Sequence, residues 1–362
     1  AYPCFSLMGV NNSDSPHNRQ KSIFSSASLP RCDRGHIFGN TAVRDDSGSA
    51  VKSEANALYR YFHFQSHELQ TAMKHLLLGF PLALVALAAK IQSPVPDDVR
   101  KAFDLKEHYQ QILLVEGFPI VASKKVHPSA LHEAAHTMSS MLRNRPDIFK
   151  QLAKNKVRYS IMATSERTCD IPEHSDLTPP EFWNRRARGL GATRQRPSVS
   201  CGEENLLHNP GDPYNTESIC VHEFAHAIHQ MALDELDPTF DTRLKETYQS
   251  AMARGLWAGK YAGSNHHEYW AEAVQSWFGT NNENNRDHNH VNTRAELIEY
   301  DPAVAKLCQE VFGDNDWIYV RADHPSRAQE PHLKNLDLNK LSPFRWTKEE
   351  QAAYEAHNKR KQ

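Results

Sequence analysis

Two stretches of this sequence set ionisable side chains one helical turn apart inside runs that are otherwise apolar. In His222-Glu223-Phe224-Ala225-His226 the two histidines stand at i and i+4. In Asn265-His266-His267-Glu268-Tyr269-Trp270-Ala271-Glu272-Ala273-Val274 the carboxylates Glu268 and Glu272 do the same. Residues i and i+4 share one face of an α-helix, so each stretch aims two such groups in a common direction. Val221, Phe224, Ala225 and Ile228 give the first helix a packing face, and Trp270, Ala271, Ala273, Val274, Trp277 and Phe278 make the second largely buried. Carboxylates on a buried helix need partners. Any fold for this chain has to supply them.

The chemistry that fits is metal binding. In H-E-x-x-H on a helix, two imidazoles converge on one ion and the intervening Glu is placed to take a proton from an activated water. A catalytic zinc takes three protein ligands and keeps one position open, and His₂Glu is a standard set. The expected site is one Zn2+ per chain held by His222, His226 and Glu268, with Glu223 as general base. Glu272, one turn behind Glu268, is expected to accept a hydrogen bond from a ligating imidazole and fix its tautomer. Ser218 and Glu217 signal the start of the first helix, and helix formers continue through Leu236. His229 lies on the same stripe one turn too far to ligate and reads as a neighbour. His229 and Ala232 also stand where the H-E-x-x-H-x-x-G-x-x-H pattern needs Gly and His, and no G-T-x-x-D segment follows.

The chain carries a second match, His132-Glu133-Ala134-Ala135-His136. There Leu131, Ala134, Ala135, Met138 and Leu142 take one helical face, which turns both histidines towards solvent, and nothing downstream resembles a third ligand. This copy reads as inert.

Two blocks, His222-Glu223-Phe224-Ala225-His226-Ala227 and Tyr261-Ala262-Gly263-Ser264-Asn265-His266-His267-Glu268-Tyr269-Trp270-Ala271-Glu272-Ala273, resemble the catalytic domain of the anthrax lethal factor-like zinc peptidases, a gluzincin type. The resemblance runs from about Asp104 to about residue 345. It implies a zincin-like domain with a small sheet and a helical lower part. It also implies roles: His222, His226 and Glu268 as zinc ligands, Glu223 as base, Tyr261 as the phenol that stabilises the tetrahedral intermediate, and Glu272 as the acid behind the ligands. Ala225 and the His266-His267 pair depart from the family pattern without removing a catalytic group. The expected activity is zinc-dependent endopeptidase, acting on a protein or peptide substrate. The alternatives are a toxin-like effector protease whose N-terminal part is a targeting module, an N-terminal part that inhibits or chaperones the groove, and a zinc-binding domain without catalysis.

The remaining chain sets the frame. Its 362 residues, 39% hydrophobic and 24% charged, suffice for about two domains with a real core. A formal net charge of -2 gives no sign of a nucleic-acid binder, and 21 histidines make the surface charge swing with pH. Residues 1 to about 50 read as a loop-rich segment, pinned by a Cys4–Cys32 link in one reading. Glu54 to Leu78 and Pro81 to about Ile91 read as helices, so that 1–103 forms a segment and helical subdomain of unknown role, ahead of a peptidase domain over 104–362. Strands are expected at Ile112–Val115, Pro119–Ala122 and Val157–Met162. Helices are expected at about 129–142, 146–154, 218–236, 240–254, 265–279, 293–299, 302–312 and 347–358, with long loops over 165–215. Few strands and then many helices make an α+β fold. The apolar run Leu76 to Ala89 is too short to span a bilayer, and membrane contact is not expected. Six cysteines without a C-x-x-C pair permit up to three disulfides. With the start at Ala1 and the sequon at Asn11, they point to a secreted protein whose signal peptide is gone.

Overall fold

A two-residue turn starts the sheet. Strands β1 (Gln111–Val115) and β2 (Phe118–Ala122) pair antiparallel, with Val115 opposite Phe118. Between them Glu116 and Gly117 both take positive φ, 49° and 83°, the turn whose twist matches that of a hairpin. This is a computed structural model, and it describes residues 90–360. The expectations for the loop-rich N-terminal segment, its two helices and the Cys4–Cys32 link lie outside the described residues. Gln92 bridges to Ile112, and Val95 and Leu105 pack with Tyr109, Ile112 and Val121. Residues 92–105 therefore belong to the same packed body as the sheet.

Helix α1 (Asp97–Ala102) precedes the sheet; from β2 the chain crosses over through α2 (Pro128–Met141) and α3 (Pro146–Lys154) to β3 (Arg158–Met162). Strand β3 runs parallel to β2 and to β5 (Ser198–Gly202), while the short β4 (Gly189–Leu190) closes the edge antiparallel to β5. The order is β1-β2-β3-β5-β4. The fold is α+β, as the few strands followed by many helices indicate.

The region 165–215 corrects the expectation of continuous loop. It holds α4 (Pro180–Arg186), β4, β5 and α5 (Glu203–Leu207), and β5 lies inside the sheet. Its sequence, Ser198-Val199-Ser200-Cys201-Gly202, looks too polar for a buried strand. The serines are satisfied sideways: Ser160 and Ser198 hydroxyls are 2.8 Å apart, Tyr109 reaches Ser160 at 2.8 Å, and His174 Nε2 lies 3.1 Å from Ser200 Oγ. Hydrogen bonding between neighbouring strands makes burial of small hydroxyls tolerable.

The helical half begins with α6 (Ile219–Ala227), which widens into a π-helical stretch, Ile228–Leu233, and ends at Asp234–Leu236. It is followed by α7 (Phe240–Ala253), α8 (His266–Phe278), α9 (Arg294–Tyr300), α10 (Pro302–Phe312) and α11 (Lys348–Lys359). Phe224 on α6 packs among Phe118, Phe149 and Tyr159, so sheet and helices share one core. A disulfide joins Cys201 at the end of β5 to Cys220 in the first turn of α6, with Cα atoms 5.5 Å apart. Cys169 and Cys308 are unbonded. No described helix is long and apolar enough to cross a membrane.

The approach to β4 is held by a buried ion pair. Arg188 Nε and Nη2 donate to the two Glu204 oxygens at 2.6 and 3.0 Å, and Arg188 Nη1 donates to the Glu166 carbonyl at 2.7 Å. Both side chains are about 1% exposed. Removing one partner strands the other charge away from water. Arg188→Ala is accordingly expected to lower unfolding free energy by about 3–5 kcal/mol in urea titrations, whereas a loss below ~1 kcal/mol, the range of exposed pairs, would show that water reaches Glu204.

Candidate metal centre

The two helices that carry the ionisable pairs are locked in register. Ser218 caps α6 by accepting from Val221 N at 3.3 Å, and Asn265 caps α8 by accepting from His267 N and Glu268 N at 2.9 and 3.1 Å. Gly279 ends α8 at φ 72°. Between them, the Trp270 indole N–H donates to the Ala225 carbonyl at 3.0 Å, Gln275 Nε2 donates to the Ser218 carbonyl at 3.2 Å, and Ser218 N donates to the Thr280 carbonyl at 3.0 Å. These bonds fix how far α8 slides along α6, and so which carboxylate meets the histidines.

That carboxylate is Glu268. Its Oε2 lies 3.0 Å from His222 Nε2 and 3.3 Å from His226 Nε2, and the two Nε2 atoms are 3.1 Å apart. All three side chains are buried. Among the described residues this is the group whose ligand atoms converge, all within 4.8 Å of one another. Four ligands at 2.0–2.2 Å around a tetrahedral ion stand roughly 3.3 Å apart, so the spacing and the two-nitrogen, one-oxygen donor set fit a zinc-sized cation. The electrostatics agree. Burial alone would lower His222, but the Glu268 hydrogen bond and the Glu268, Glu223 and Glu272 charges overcome it and raise its pKa to about 10. For Glu268, burial pushes upward and is outweighed by the His226 and His222 interactions, which hold it ionised. A field that keeps a proton on a buried imidazole also attracts a divalent cation.

The remaining nitrogen of His222 faces a residue the sequence reading passed over. His222 Nδ1 lies 2.8 Å from Gln275 Oε1, while Glu272 Oε1 is 3.6 Å away. An amide oxygen accepting from Nδ1–H leaves the Nε2 lone pair turned to the centre. Glu272 is buried and its Oε2 takes Asn281 Nδ2 at 3.1 Å and faces His288 Nε2 at 3.4 Å. Burial pulls His288 down, and the Glu272 bond outweighs it and raises its pKa. Gln275 was findable: it sits three residues after Glu272 on the same face of an aromatic-rich helix, where a glutamine needs a partner as much as a carboxylate does. Asn281 and His288 come from loops and carry no such pattern.

Glu223 is 1% exposed and lies under the sheet edge. A Cβ built on Gly189 would stand 2.9 Å from Glu223 Cγ, and one on Gly191 would stand 2.9 Å from His226 Cβ and 3.4 Å from Glu223 Oε2. Glycine thus lets β4 and the chain beyond it press directly on the face of α6 that bears these residues. Tyr261 opens a 3₁₀ turn, Tyr261–Gly263, before α8, and its ring stacks beside that of His222 with centroids 6.2 Å apart. The turn is held from outside by the Tyr248 hydroxyl on the Gly263 carbonyl at 2.8 Å and by Tyr261 N on the Asp287 carbonyl at 2.8 Å. His229 is turned away by the π-helical stretch and meets Asp241 at 3.2 Å, as a neighbour of the centre.

The second copy differs from expectation in orientation. Glu133 is fully buried, and His132 and His136 are half-buried under the C-terminal segment rather than open to solvent. Glu133 accepts both Arg327 nitrogens at 2.7 and 2.9 Å and His332 Nε2 at 2.8 Å.

No known family model matches this chain, and no curated protein matches it by sequence. Among solved structures it is similar to a Pro-Pro endopeptidase from Paenibacillus alvei, at 17% identity and a TM-score of 0.37, over 53% of this chain and 97% of that one.

The close approach of the sheet edge gives a steric test. Gly191→Ala forces a methyl against His226 and is expected to cost about 1–3 kcal/mol of stability; unchanged denaturant midpoints would mean that the chain just beyond β4 is not pressed on α6.

Proposed function

We propose that this chain is a zinc-dependent endopeptidase of lethal-factor-like type, with residues 104–362 as the peptidase domain and the packed residues 92–103 continuous with it. The observation that carries the reading is the convergence of His222 Nε2, His226 Nε2 and Glu268 Oε2 at mutual distances of 3.0 to 3.3 Å in a buried place. These three would hold the zinc, whose contribution is to acidify water and to polarise a carbonyl. Glu223, one residue along α6 from His222, accepts the proton of the attacking water and returns it to the leaving amine. Tyr261 donates its phenolic hydrogen to the oxyanion that develops on the scissile carbonyl. Gln275 holds His222 with Nε2 turned inward, and Glu272 anchors the loops bearing Asn281 and His288. The donor geometry supports catalysis by a metal; the order of Tyr261, Glu268 and Glu272 behind the histidines supports the family. A protein or peptide is the substrate. The Cys201–Cys220 bond fits an oxidising compartment, which supports secretion.

Glu223→Gln removes the base and preserves shape. It is expected to retain zinc, measured by elemental analysis, and to lose cleavage of a proteome-derived peptide library; full activity in this variant would overturn the assignment. Tyr261→Phe should keep zinc and lower kcat by about 10²-fold, and turnover equal to wild type would leave Tyr261 a packing residue.

A further inference from the structure

The second H-E-x-x-H copy has a third histidine, brought to it by the fold. His332 comes from the segment after α10 and stands beside both helical histidines, with ring centroids 5.5 Å from His136 and 6.5 Å from His132. Its backbone is tied down, since Ser129 Oγ on α2 donates to the His332 carbonyl at 2.9 Å. Its ring is oriented by Glu133, which lies 2.8 Å from His332 Nε2. Glu133 is also paired with the Arg327 guanidinium at 2.7 and 2.9 Å, a partner that suits its carboxylate form. An ionised carboxylate accepts from Nε2–H, which leaves Nδ1 as the free lone pair of a neutral His332. A carboxylate behind an imidazole is the arrangement that orients metal-ligating histidines and raises their basicity.

We infer that His132, His136 and His332 form a second transition-metal site, for a nitrogen-preferring cation such as Zn2+, which ties the C-terminal segment to α2. Imidazoles on one tetrahedral ion, with metal–nitrogen bonds of 2.0–2.1 Å, have centroids roughly 5 Å apart. The His136–His332 spacing, 5.5 Å, is close to that, and the His132–His332 spacing, 6.5 Å, has roughly 1.5 Å to close. The ligand atoms do not yet converge as those of His222, His226 and Glu268 do. Closure therefore accompanies binding. His132 and His136 are both half-buried, at the edge that the C-terminal segment covers. Arg327 already satisfies Glu133, and His332 nevertheless stands over it beside His132 and His136.

The test uses the full chain first loaded with one equivalent of zinc and then titrated with further Zn2+ by calorimetry. Wild type is expected to take up a second equivalent, and the His132→Ala/His136→Ala variant to bind it at least about tenfold more weakly while its first equivalent is unchanged. His332→Gln should do the same. The second equivalent should also slow trypsin cleavage after the exposed Lys334 in wild type only. Absence of a second equivalent, an uptake that survives in the double variant (binding at other surface histidines), or cleavage at Lys334 indifferent to zinc would each overturn the site. A first equivalent that is missing while the His132- and His136-dependent one is present would count against the peptidase centre and not against this one.

Discussion

The hydrogen bond from the Trp270 indole to the Ala225 carbonyl sets the relation on which the rest of this molecule turns. It joins α8 to α6 at the centre of the H-E-x-x-H motif, and with Gln275 on Ser218 and Ser218 on Thr280 it leaves the two helices one register. A shift of one residue would rotate Glu268 by about 100° away from the histidines. Four ionisable groups, His222, His226, Glu268 and Glu272, would then be buried without partners, each at a cost of several kcal/mol. The packing bonds and the polar cluster therefore enforce one another. Neither is tolerable without the other.

The same pattern places the sheet. Its edge strand, Gly189 and Leu190, reaches α6 at the level of Glu223, the next residue Gly191 reaches His226, and the strand is steered there by the buried Arg188–Glu204 pair. The disulfide from Cys201 to Cys220 ties the neighbouring strand to the first turn of the same helix, and the Tyr159 hydroxyl donates to the Cys220 carbonyl at 3.1 Å. Sheet, disulfide and glycine edge thus bear on one helix from one side while α8 bears on it from the other. The π-helical widening after Ala227 turns His229 out of this sandwich towards Asp241.

Local pattern was legible where burial is periodic. The helices around 128–154 and from 240 onwards, the strands at 111–122 and the strand at 158–162 all follow from apolar spacing. The region 165–215 was not legible, because its buried strand is built from serines whose partners, Ser160 and His174, are distant in sequence. Apolar periodicity is silent about polar groups that satisfy one another across strands. The second H-E-x-x-H copy shows the same limit. Its helix and its inward apolar face follow from spacing, yet what covers its histidines is a segment nearly two hundred residues away, which no local pattern announces.

From the sequence alone come the pairing of His222 with His226 and of Glu268 with Glu272, since the helical repeat is a local property and fixes which side chains share a face. The expectation that these two pairs meet came from the three-ligand demand of a catalytic zinc and from the family resemblance. Only the tertiary structure decided which partner each atom has. Gln275 rather than Glu272 lies nearest His222 Nδ1, His288 and Asn281 close on Glu272, Gly189 and Gly191 lie against Glu223 and His226, and His332 stands over His132 and His136. Those choices depend on ångström differences in how helices and loops pack, and sequence spacing does not encode distances between segments that meet only in the folded chain.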